Sequence, residues 1–137
     1  MLHVNLGLKK SLSEFKVKID RTNIQCLSLA DAQIEIFEGN INEKWLKLKL
    51  NGVTFSDQKS KKDGTIDLFF EGWQKISIRE YTDSEKSWKS LNSIEPLSTI
   101  SEEEYILDTY RITGFGSINT NWLEYIIIEP KISGQFE

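Results

Sequence analysis

The sequence predicts an all-β domain, a mainly antiparallel sandwich or partly open barrel with one short helix; α+β is the alternative. Three observations carry this. Apolar residues alternate with polar ones in short runs, most clearly Leu46, Leu48 and Leu50, then Ile66, Leu68 and Phe70. Period two places one set of side chains on one face of a sheet. Turn signals recur every ten residues or so, the rhythm of sandwiches and barrels. Only residues 82–98 show the three-residue spacing of a helix, with Trp88, Leu91 and Ile94 after a cap at Asp83 or Ser84 and before Pro96.

Taken in order, Leu2, Val4, Leu6 and Leu8 suggest an edge strand or an arm. Phe15, Val17 and Ile19 form a half-buried strand, and Ile24 to Leu29 a short one with Cys26 as a small buried residue. Ile34 and Ile36 make the next, closed by Glu38-Gly39-Asn40. Residues 44–81 then hold three runs, ending with Ile76 and Ile78, that read as neighbouring strands in the middle of the fold. Asn51-Gly52 is a strong hairpin signal. Gly72 recurs in the same local context 20 residues later, so both glycines are read as bends within strands. The loop is then Ser56 to Gly64, which has no apolar residue. Tyr105 to Tyr110 reads as one strand. Arg111 to Gly114, Trp122 to Ile128 and a last strand ending at Phe136 follow, with a loop over Ser117 to Asn121. The total is about eight to ten strands.

A chain of 137 residues suits one domain, residues 1–137, with a core that needs no staples. At 39% apolar and 28% charged it is globular rather than disordered. The N-terminus lacks the basic and apolar regions of a signal peptide. The lone Cys26 forms no internal disulfide, and no apolar run is long enough to cross a bilayer as a helix. A cytoplasmic protein without membrane attachment is the expectation.

The residues of chemistry are sparse. A Ser-His-Asp triad or a Cys-His pair would need His3, close to the chain's start. Four zinc ligands of the usual type are not available. Gly114-Phe115-Gly116 lacks the third glycine and the Lys of a phosphate cradle. Lys59, Lys61 and Lys62 are not interleaved with aromatics as nucleic-acid binding would require. No catalytic residue, cofactor or metal is expected. Paired carboxylates among the 21 acids leave a glycosidase-like enzyme as one rival. A carbohydrate- or small-ligand-binding sandwich using exposed aromatics is another.

Charge is uneven. Residues 1–62 carry 11 Lys/Arg and 7 Asp/Glu, whereas residues 63–137 carry 6 and 14. Such an acidic half repels nucleic acid and steers basic partners. Glu102, Glu104, Asp108, Glu124 and Glu129 are expected on one face. The candidate partner-binding residues are Trp73, Glu104, Asp108, Trp122, Glu124 and Tyr125, with an aromatic at the centre. Residues 31–80, in Asp31-Ala32-Gln33-Ile34-Glu35-Ile36 and the two runs Leu48-x-Leu50-x-Gly52-Val53 and Leu68-x-Phe70-x-Gly72-Trp73, resemble small bacterial domains of uncharacterised or immunity-protein type. The resemblance implies a non-enzymatic cytoplasmic protein that neutralises a toxin by binding it, and it transfers no functional residue.

Overall fold

The structure, a computed structural model, describes residues 15–137. The expected strand over Leu2 to Leu8, and His3 with it, lie outside the described residues. Eleven strands form two antiparallel sheets, and no α-helix occurs among the described residues. β1 (Val17–Ile19) leads through a single 3-10 turn, Ile24–Cys26, to β2 (Leu27–Ser28) and β3 (Gln33–Asn40). β4 (Trp45–Ser56) and β5 (Lys61–Glu71) make a long hairpin, followed by β6 (Lys75–Thr82) and β7 (Ser87–Ser90). β8 (Glu102–Ile106), β9 (Thr109–Phe115), β10 (Trp122–Ile128) and β11 (Lys131–Phe136) complete the chain.

The first sheet has the order β1-β11-β5-β4-β2, with β3 also paired to β4, and curls into a half-barrel. The second has the order β7-β6-β10-β9-β8. Their inner faces meet in one core. Phe70 of the first sheet packs on Tyr110 of the second, ring centroids 4.8 Å apart, and Phe37 meets Tyr125 at 5.3 Å. Leu46, Leu48 and Leu50 of β4 face inward with Ile66, Leu68 and Phe70 of β5, all buried, as their alternation requires.

Five expectations are corrected. The Ile76–Ile78 strand is not a neighbour of the β4–β5 pair: β6 belongs to the second sheet, between β7 and β10. Ile78 is buried there and Ile76 half-buried. The chain changes sheets at Gly72, whose φ of +58° suits a glycine, so Gly72 is a corner rather than a bend within a strand. Gly52, at φ +76°, does mark a bulge: the β4–β5 register shifts between Asn51 and Val53. The hairpin loop is accordingly shorter than expected, Asp57 to Ser60. Its turn is closed by Asp57 Oδ1, which accepts the Lys59 and Ser60 amides.

The expected short helix over residues 82–98 is a turn followed by β7. Trp88 lies opposite Tyr81 in the β6–β7 register, and the two rings touch at 5.3 Å. An aromatic cross-strand pair of this kind outweighs a three-residue spacing only two turns long. The run Tyr105 to Tyr110 is likewise two strands, β8 and β9, reversed at Leu107-Asp108, both at positive φ.

Candidate functional site

The solvent-facing side of the second sheet carries the most organised set of functional side chains. Strand register builds it row by row. At one end, Phe115 of β9, Trp122 of β10, Tyr81 of β6 and Trp88 of β7 stand side by side across four strands. Phe115 and Trp122 meet edge to face, 5.2 Å apart at 83°, and Tyr81 tilts against Trp88. Trp88 is 42% exposed and Phe115 47%, while Tyr81 and Trp122 are half-buried. Ile118, in the loop between β9 and β10, adds exposed apolar surface.

The next row is charged. Glu124 of β10 lies opposite Arg79 of β6 and Thr113 of β9, with Glu102 of β8 beyond. Arg79 Nε donates to Glu124 Oε1 at 2.5 Å, and Arg111 Nε donates to Oε2 at 2.8 Å. Glu124 itself is only 4% exposed. Burial pushes its carboxyl up, but hydrogen bonds from Arg79 and Arg111 together with their charges outweigh burial and hold it below 4.5. Arg79 also lies over the Trp88 ring, 4.0 Å from guanidinium carbon to ring centroid, so the two rows are tied through one side chain.

A notch of about 170 Å³ opens beside the aromatic row, lined by Tyr81, Asp83, Phe115, Thr120, Asn121 and Trp122. Its loop wall is fixed by Gly116, whose amide donates to the Asn121 carbonyl, and by Ser117, whose amide donates to that of Pro96.

The six residues singled out in the sequence are scattered. Trp122 joins the aromatic row. Glu104 is exposed on the same face, opposite Arg111. Glu124 is there too, but buried and neutralised by two arginines. Trp73 is not on the surface: at 2% exposed it fills the core where the chain crosses between sheets. Tyr125 is also buried, because it alternates with Glu124 and so faces inward; its hydroxyl accepts the Glu95 amide and donates to the Glu95 carbonyl. Asp108 sits at the β8–β9 turn, where it accepts the Tyr105 hydroxyl. Glu129, also at a turn, lines a cleft of about 430 Å³ with Asp108, Asp20 and Arg21. The single acidic face is therefore not assembled: two of its five acids are at turns and one is paired out. Tyr81, Trp88, Phe115 and Arg79 join the site without having been singled out, since only the register brings them together.

Two other constellations stand out among the described residues. Glu80 and Glu95 form a like-charge pair: burial first, then the Glu80 charge, raises the Glu95 carboxyl, and Lys89 partly offsets this. One Glu95 oxygen is buried without a partner among the described residues, while Glu80 accepts from the Asn119 side chain at 2.9 Å. Neither lines any of the clefts described. On the outer face of the first sheet, Trp45 stacks on Phe69 at 24° beside a groove of about 520 Å³ lined by Lys47, Asp67, Phe69, Ser133 and Gln135. No metal-binding group of three acidic, His or Cys residues occurs among the described residues. Comparison of the chain with protein-family models, curated proteins and solved structures finds no match in any of the three.

Proposed function

We propose that the protein is a non-enzymatic binding module that holds a protein partner on the outer face of its second sheet. The observation that carries this is the row Phe115–Trp122–Tyr81–Trp88 with Arg79 locked between Trp88 and Glu124. Trp, Tyr and Arg are the residue types that dominate protein–protein binding energy. Here they are held by one another before any partner arrives, which lowers the entropy lost on docking. A toxin-neutralising immunity protein of the cytoplasm is the finer form of the proposal, and it rests on the resemblance of residues 31–80 alone. The glycosidase-like alternative has less support: the raised carboxyl of Glu95 and its neighbour Glu80 line none of the clefts described, and in the cleft that holds Asp20, Asp108 and Glu129 the Asp20 carboxyl is lowered by hydrogen bonds from Thr22 rather than raised as a general acid needs.

A specific observation favours a second reading. The groove beside Trp45 and Phe69 joins aromatic and hydrogen-bonding side chains at a volume within the roughly 300–1,000 Å³ of small-ligand sites, which suits a carbohydrate. Affinity capture with surface variants separates the two. Under the leading proposal the double variant Trp88→Ala/Phe115→Ala loses a partner protein that the wild type and Lys47→Ala/Ser133→Ala both retain. Retention of that protein by the Trp88/Phe115 variant sinks the proposal, and binding of oligosaccharides that only the Lys47/Ser133 variant loses favours the second reading.

A further inference from the structure

The notch beside the aromatic row says what the partner must present, if the docking proposal holds. Its polar wall includes one carboxylate, Asp83, which is exposed and makes no ion pair among the described residues. Its apolar walls are Tyr81, Phe115 and Trp122, and the last two rings stand at 83° to each other. Two aromatic rings meeting at a corner offer a negative face and a carboxylate offers a full charge; both attract a cation. An anion would meet the same groups unfavourably. One carboxylate without His or Cys is a poor metal site.

Size narrows the occupant further. At about 170 Å³ the notch is smaller than the roughly 300 Å³ at which small-molecule sites begin, so it suits a single side chain. The exposed Phe115 of its wall and Trp88 against Tyr81 give that side chain's neighbours an apolar surface to cover, which keeps water from the buried contact. Between the two basic side chains, arginine fits better. Its guanidinium is planar, stacks on a ring, and presents paired donors to a carboxylate. The sheet already contains one such arrangement, in which Arg79 lies over Trp88 while donating to Glu124.

We propose that the notch formed by Asp83, Tyr81, Phe115 and Trp122 receives an arginine side chain projecting from the partner protein. Titration of the ¹⁵N-labelled protein with acetyl-Gly-Arg-Gly-amide tests it, with the citrulline peptide as the neutral isostere. The expected result is a saturable shift of the Trp122 indole N–H and of the Asp83 and Asn121 amides. Affinity should fall about fivefold or more for citrulline, and by a similar factor for the arginine peptide on Asp83→Asn, as expected for a cation–π contact joined to an ion pair. Asp83 is exposed at a turn, so this variant keeps the fold. Equal shifts of this face by both peptides overturn the arginine assignment while leaving the face as a docking surface. Shifts confined to other residues, none at all, or an unchanged response in Asp83→Asn overturn it as well; the capture experiment above decides the docking proposal separately.

Discussion

The Arg79 guanidinium carbon lies 4.0 Å from the centre of the Trp88 ring, and its Nε donates to buried Glu124 on the next strand. An edge-strand tryptophan is thereby held in place by a residue anchored to the middle of the sheet. Trp88→Ala should cost only about 1 kcal/mol of stability, the worth of an exposed cation–π contact and part of an aromatic pair. It should weaken partner binding at least about tenfold, as loss of an anchor does. Chemical denaturation beside a binding titration reads both; a stability loss above about 3 kcal/mol with unchanged binding would make Trp88 structural.

Leu68 is fully buried between the sheets and faces Leu48 across the hairpin. Leu68→Ala should cost about 2–5 kcal/mol in equilibrium unfolding by urea. A loss under about 0.5 kcal/mol, typical of surface positions, would contradict the inward register of β5.

Glu124 and Glu95 should respond to pH in opposite directions. The Glu124 carboxyl is held below 4.5 in the folded state, so its contribution is present above 4.5 and is lost as pH falls through the lowered value. Glu124→Gln should therefore lower stability at neutral pH, by about 1–3 kcal/mol for two charged hydrogen bonds whose arginines remain partly exposed. That deficit should shrink at acidic pH. Denaturation curves at a series of pH values check it, and a deficit that grows below 4.5 contradicts the assignment.

The Glu95 carboxyl is raised above 4.5 by burial and by the nearby Glu80. A raised acid favours the fold when protonated, and that contribution is lost as pH climbs from 4.5 through the raised value. Glu95→Gln should thus melt higher than the wild type at neutral pH and level with it in acid. A lower Tm for the variant at neutral pH would show that the ionised carboxylate is stabilising.

The hairpin core was legible because Leu46 to Leu50 and Ile66 to Phe70 alternate cleanly and each trio lies on one face. The Gly52 bulge was legible because only a special backbone position explains glycine amid such a run. Residues 82–98 misled because Trp88 gains its place from Tyr81, a partner seven residues away whose contact no local spacing announces. The β8–β9 turn was hidden for a different reason: Leu107 and Asp108 reverse the chain at positive φ without the Asn-Gly or Asp-Gly that usually marks such turns. Of the site, Trp122 was recognised by residue type. Its companions were not, because Phe115, Tyr81 and Trp88 share a row only once the order β7-β6-β10-β9 is known.

Site-specific photo-crosslinking in the producing cell tests the docking face most directly. A benzoylphenylalanine placed at position 88 or 115 reports contacts of the second sheet's outer face, and one at position 133 reports the first sheet's. The expected result is a covalent adduct to the same protein from positions 88 and 115 and none from 133. Adducts from 133 alone, or no adduct from 88 and 115, would contradict a protein-binding role for the aromatic row.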